Sequence, residues 1–282
     1  MIKLHWLVDP FHFCEKDCDT PLYYSKLLNA DLSVSFLRPR DLISAPLLGN
    51  TDSVFPTGAY FLGGASLDTG SAEALIECKN AVRAYFSAHS VKIDLPFYFE
   101  DSADNIQTTS LFSDMVMMKQ DLYKSLQLSV GRISSKNRSY ELPASLLLLP
   151  EGNYPPERIA IIIGNRKSAV TAIKSFSQIQ GGSLSCVPVK VYSFKDADPV
   201  DDLIFKNQII AYLSCHFEEV ELKEFDGRLE EEWYLELKYQ KNLLLVVGND
   251  VRELLLPVEE AGNNLLSMEL AGISFFMDNI KI

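Results

Sequence analysis

Four stretches of this chain carry side chains that could do chemistry. His12-x-Cys14-x-x-x-Cys18 brings an imidazole and two thiols together, and such donors bind zinc. The spacing matches no finger or ribbon pattern and lacks a fourth ligand. The stretch therefore reads as a loop holding two thiols, with Asp17 and Asp19 serving turn and cap geometry. Cys215-His216 sets a nucleophile beside a base. Adjacent residues ahead of a strand point to opposite faces, so the pair reads as a core cysteine and an exposed histidine. Glu230-Glu231-Glu232 and Asp201-Asp202 suggest a cation site, but acids at helix starts answer the macrodipole. Cys78 falls on an apolar helix face as packing, and Trp6 and Trp233 are expected in the core. No Gly-x-Ser-x-Gly, Walker or paired-histidine motif occurs. Neither a catalytic residue nor a metal site is expected.

Composition narrows the classes. The chain has 282 residues, 47% hydrophobic and 23% charged, enough for one large domain or two of ordinary size. Its 38 acidic residues against 26 basic give a net charge of −12, which argues against nucleic acid and anionic membrane surfaces as partners. No apolar run reaches the length of a membrane span, and the N-terminus lacks the features of a signal peptide. Five scattered cysteines make no disulfide framework, so a cytoplasmic location is expected.

The elements that must position any site are organised around Pro143–Phe176. Leu146–Leu149 is wholly apolar and closed by Pro150, as in a strand buried on both faces. Glu151–Glu157, with Gly152, Pro155 and Pro156, reads as a linker. Ile159–Ile163 is a second buried strand; Gly164-Asn165 turns the chain, and Ser168 can cap a helix stopped by Gly181-Gly182. Strand, turn and helix thus begin afresh in mid-chain.

In the first half, Lys3–Val8 reads as a strand, Thr20-Pro21 starts a helix that Asn29 closes, and Asp31–Leu37 alternates as a strand: a βαβ unit. Pro39–Gly70 is a loop or insertion. Ser71–His89 is the strongest helix, Val91–Phe99 an edge strand because of Pro96, Asn105–Phe112 a short helix and Asp114–Met118 a buried strand. Gln120–Glu141 reads as polar and irregular. In the second half, strands are expected at Val187–Phe194, Phe217–Leu222, Leu243–Val247 and Ile273–Met277. Helices are expected from Asp198, around Leu229, Trp233 and Leu237, and at Leu265–Leu270. The halves share an order of elements, an internal duplication by pattern.

On these residues the chain resembles the universal stress protein (UspA-like) family in its tandem two-domain form. Arg158–Ile173 looks like that family's opening strand, turn and helix. Asp114–Met118 and Asn242–Gly248 look like its fourth strand, and Pro143–Pro150 and Ala271–Met277 like its closing strand. The resemblance implies an α/β fold of two tandem domains, 1–151 with an insertion near 39–70 and 157–282, each a mostly parallel five-stranded sheet flanked by helices. It also implies that the two closing strands pair within the chain as an internal pseudo-dimer.

The family's nucleotide-binding members hold ATP with an acid after the first strand and a glycine loop after the fourth. That loop reads Gly-x-x-Gly, then about nine residues, then Gly-Ser or Gly-Thr, so that backbone amides gather on phosphate. Here Asp9 stands where the acid stands, but Met118-Lys119-Gln120-Asp121 replaces the first glycine, and Gly131 is isolated. In the second half Gly164 replaces the acid; Gly248 matches the first loop glycine, Val251 replaces the second, and Ala271-Gly272-Ile273 lacks the hydroxyl. The expectation is therefore a non-catalytic stress-response or regulatory protein, without a cofactor, acting through protein partners. The alternative is an adenine nucleotide or other small molecule in one surviving cleft, lined by Asp9 and Leu37 in the first half or by Gly248 and Asn249 in the second.

Overall fold

Met115–Met118, Leu146–Leu149, Ile159–Ile163 and Leu243–Val247 have no polar side to turn to water. In the computed structural model each lies inside one ten-stranded sheet, covered on both faces. The structure describes residues 1–37, 69–95, 109–133, 141–142, 144–150, 155–194, 199–225, 236–237, 240, 242–248, 251, 273–277 and 280–281. In chain order the strands are β1 (Lys3–Val8), β2 (Asp31–Phe36), β3 (Ile93–Asp94), β4 (Met115–Lys119), β5 (Glu141–Leu142), β6 (Ser145–Leu149), β7 (Arg158–Ile163), β8 (Val189–Phe194), β9 (Val220–Phe225), β10 (Leu243–Val247), β11 (Ser274–Met277) and β12 (Ile280–Lys281). The helices are α1 (Asp19–Leu27), α2 (Thr69–Ala88), α3 (Gln120–Ile133), α4 (Arg166–Gln180) and α5 (Pro199–Leu213), with a 3₁₀ turn at Glu15–Cys18.

The sheet runs β3-β2-β1-β4-β6-β11-β10-β7-β8-β9. All neighbours are parallel except β6 and β11, which meet antiparallel in mid-sheet with Phe276 opposite Leu147. The expected pairing of closing strands is thus present, and it fuses the two five-stranded halves into one sheet. The register makes the halves equivalent position by position. Leu4 faces Leu32 and Met115 across its neighbours, as Ile159 faces Val189 and Leu244; Met115 then faces Ser145, as Leu244 faces Ser274. A pseudo-twofold axis therefore passes between Leu147 and Phe276. By this register His5 corresponds to Ala160, Asp9 to Gly164 and Lys119 to Gly248.

Strand alternation divides the core into two layers, each continuous across both halves. One holds Leu4, Trp6, Leu147, Ile161 and Phe276 against α1, α2, α4 and α5; the other holds Leu7, Val116, Leu148, Ile162 and Phe275 against α3. At the seam Phe276 meets Phe176 of α4 edge-on, with ring centroids 5.1 Å apart. Gln120 Nε2 donates to the Ile273 carbonyl at 2.6 Å, and Gln180 Nε2 to Met115 Sδ at 3.4 Å, so each half reaches into the other. The short antiparallel pair β5–β12 adds a third tie.

Several local expectations need correction. Gln120–Ile133 is helix α3, not irregular chain: Leu122, Tyr123 and Leu126 form a buried stripe that the surrounding polar residues mask. The 3₁₀ turn precedes α1, so Thr20 lies inside the helix and does not cap it, while Asn29 ends that helix with a φ of 46°. Helix α4 starts at Arg166, capped by Asn165 rather than Ser168; the Asn165 side chain accepts from the Lys167 amide at 3.0 Å. Strand β9 starts at Val220, because α5 runs to Leu213 and its exit turn takes up the intervening residues. The expected insertion lies outside the described residues over 38–68, as do Pro96, residues 105–108 of the short helix, 151–154 of the linker, Asp198, Leu229, Glu230–Glu232, Trp233 and Leu265–Leu270.

Candidate functional site: the crevice between β1 and β4

From β1 the chain crosses through α1 to β2 on one side, while β4 lies on the other. The strand order reverses between β1 and β4, and open α/β sheets bind ligands in the crevice outside such a switch point. A cavity of about 560 Å³ lies there. Strand β1 supplies Trp6, Leu7 and Val8, and the segment after it Asp9, His12, Phe13 and Asp17. Lys119 ends β4, Asp121, Leu122 and Ser125 come from α3, and Leu149-Pro150 close β6.

The segment after β1 is tied down by carboxylates. Asp9 Oδ1 accepts from the Phe11 amide at 2.9 Å, and Oδ2 lies 2.8 Å from His12 Nδ1. The Asp9 side chain is 12% exposed, that of His12 82%. Asp17 accepts from the Cys14 amide at 2.8 Å and the Cys14 thiol at 3.2 Å, closing the 3₁₀ turn. It also holds the Lys119 ammonium at 2.7 Å, and Lys119 donates to the His12 carbonyl at 3.3 Å. Asp17 thus serves the turn, as expected from sequence, and in addition anchors the cation at the end of β4.

The thiols near the crevice have different surroundings. Cys18 is wholly buried, and burial pushes its pKa far above the usual thiol value. Burial likewise pushes Cys78 up to about 12, consistent with its packing role. Burial, then the Asp17 hydrogen bond, raises the pKa of Cys14. His12, Cys14 and Cys18 do not converge: the first turns to Asp9, the second to Asp17 and the third into the core. Cys215 is exposed rather than buried, because Cys215-His216 forms the turn leaving α5 and not the approach to a strand. Its thiol donates to the Ala211 carbonyl at 3.3 Å, while His216 packs on Tyr212. Asp202, in the first turn of α5, also pairs at 2.5 Å with Lys206, a lysine only 2% exposed.

Of the four residues singled out as ligand-lining, the cavity takes Asp9. Leu37 is buried in the layer with Leu7 and Val116; its amide donates to the Val8 carbonyl at 2.8 Å, and its side chain does not line the cavity. Gly248 is buried in the other half, where it follows β10 at the position that matches Lys119, the last residue of β4. Asn249 lies outside the described residues. Sequence reasoning did not place Asp17, Asp121 or Lys119 in the cavity lining. One signal was present: Met-Val-Met-Met-Lys is a buried strand that ends on a charge. Trp6 meets its core expectation at 2% exposure, yet it also backs the cavity.

No family model and no curated protein matches the chain. Among solved structures it is similar to a universal stress protein from Archaeoglobus fulgidus DSM 4304, with a TM-score of 0.54 and 12% identity over 99% of this chain and 96% of that one. The fold is universal-stress-protein-like. At that identity the likeness speaks for the ten-stranded architecture and for nothing finer. Among the described residues no helix is long and apolar enough to cross a membrane.

Proposed function

We propose that this chain is a non-catalytic regulatory protein of the universal stress protein type, two such domains in tandem, working by binding a small molecule in the crevice between β1 and β4. The observation that carries the reading is the cavity at the switch point, of a size that suits a small ligand. The backbone supports a departure from the family's ATP loop. Helix α3 begins at Gln120, directly after Lys119 ends β4, so no loop separates strand and helix to gather amides on a triphosphate. A cytoplasmic location and protein partners that read the ligand state belong to the same proposal. The alternative places an adenine nucleotide in the second half, where Gly248 keeps the first loop glycine.

The test is mass spectrometry of small molecules released from freshly purified protein on denaturation. A stoichiometric ligand other than ATP, lost when Ser125→Trp fills the cavity, is the expected result. ATP turnover abolished by Asp9→Ala would overturn the non-catalytic reading. Stoichiometric ATP unaffected by Ser125→Trp would favour the second half.

A further inference from the structure

Resting on the reading of the crevice as a ligand site, we infer that it takes a phosphate-free, amine-bearing small molecule with an apolar body, and rejects nucleotides. Three carboxylates, Asp9, Asp17 and Asp121, line the cavity against one lysine. That lysine is already engaged: Lys119 sits 2.7 Å from Asp17, which offsets its charge, and donates to the His12 carbonyl. Ser125 and the imidazole of His12, which faces Asp9, complete the polar lining. The N-terminus of α3 would favour an anion, and Asp121 in its first turn answers that dipole.

Asp9 is the natural anchor. Its side chain is 12% exposed, and among the described residues Oδ1 accepts from the Phe11 amide and Oδ2 faces His12, whereas a carboxylate accepts about four hydrogen bonds. An ammonium can therefore add to Asp9 without displacing Phe11 or His12. Around it the walls are apolar or aromatic: Trp6, Phe13, Leu122, Leu149 and Pro150 offer a face for a ring, and of their side chains the Trp6 indole N–H alone can donate to a phosphate. The pseudo-twofold sharpens the assignment. Where the first half has Asp9 and Lys119, the second has Gly164 and Gly248, so the fold itself does not demand charges at these positions.

The test titrates three compounds sharing a naphthylethyl body, one ending in an amine, one in a hydroxyl and one in a phosphate monoester, by calorimetry against the full chain. The amine is expected to bind about tenfold or more tighter than the phosphate, a difference set by charge alone. Asp9→Asn, which keeps the acceptor for Phe11, should lower amine affinity about tenfold and leave the alcohol unchanged. Asp121→Lys, at a carboxylate 72% exposed and so tolerant of change, should narrow the gap by improving the phosphate compound. A phosphate compound binding as tightly as the amine would overturn the inference while leaving the crevice a ligand site. If no compound binds at millimolar concentration, or binding survives Ser125→Trp, the ligand-binding reading falls with it.

Discussion

The two halves of the sheet share their register but not the way they leave their first strands. In the first half β1 runs into Asp9 and a segment through Cys18 before α1 begins; that segment stands off the sheet, and a cavity opens beneath it. In the second half β7 is followed by Gly164 and Asn165 alone before α4. The connection is as short as such turns become, and its polar side chain caps the helix. The same contrast holds one strand over, where Lys119 in one half replaces Gly248 in the other. A duplicated scaffold thus carries one crossover elaborated into a charged crevice and one trimmed to its structural minimum. The proposed ligand site rests on this elaboration and not on the shared fold.

The comparison assumes that the halves act as one folded unit, and the seam tests this most severely. Phe276 is wholly buried against Phe176 and opposite Leu147, so Phe276→Ala should cost about 3–5 kcal/mol. Because the sheet is continuous, hydrogen exchange should show amides of β1 and of β7 losing protection together. Loss confined to β7 would mean that the halves are energetically separate despite their shared strand pairing.

Next in size is an asymmetry in the core. His5 is wholly buried between Ser35, 2.9 Å from its Nε2, and Ser110, 3.3 Å from its Nδ1, where the second half has Ala160. Burial lowers its pKa from 6.5 to about 4. The unfolded chain therefore takes up this proton near 6.5, while the folded chain resists until about 4. Stability is full above 6.5 and falls as the pH drops through this window, by about 3 kcal/mol in all. Urea midpoints from pH 7 to pH 4 should show that loss, and His5→Asn should flatten it. An unchanged slope in the variant would place the acid sensitivity elsewhere.

Much of this architecture was legible because buried parallel strands announce themselves: Leu146–Leu149, Ile159–Ile163 and Leu243–Val247 have nothing polar to mislead a reader. The pairing of the two closing strands was implied by the family resemblance, and its antiparallel sense is seen only in the structure. Helix α3 was not legible, because Leu122, Tyr123 and Leu126 are set among polar residues and the buried contact they make comes from the sheet. The site was half legible. Asp9 stood out by its place after the first strand, but Asp17 and Lys119 are far apart in sequence and meet only when β4 lies beside β1. Leu37 is not among this cavity's lining residues: adjacency to a strand end does not say which face a side chain takes, and here it continues the β1–β2 ladder into the core.

The smallest effect probes the trimmed crossover. Asn165 supplies the cap that the first half obtains from a whole 3₁₀ turn, and Asn165→Ala removes the acceptor for the Lys167 amide, at a cost of about 1 kcal/mol. Asn165→Asp should retain the cap and, by placing a negative charge at a helix start, match or slightly exceed the parent in urea midpoint. Neither change should alter ligand binding in the first half, since Asn165 is not part of the crevice lining. If Asn165→Ala weakened binding there while costing only the expected cap energy, the crossovers would be coupled through the shared sheet. The second half would then be a regulator of the first rather than its scaffold.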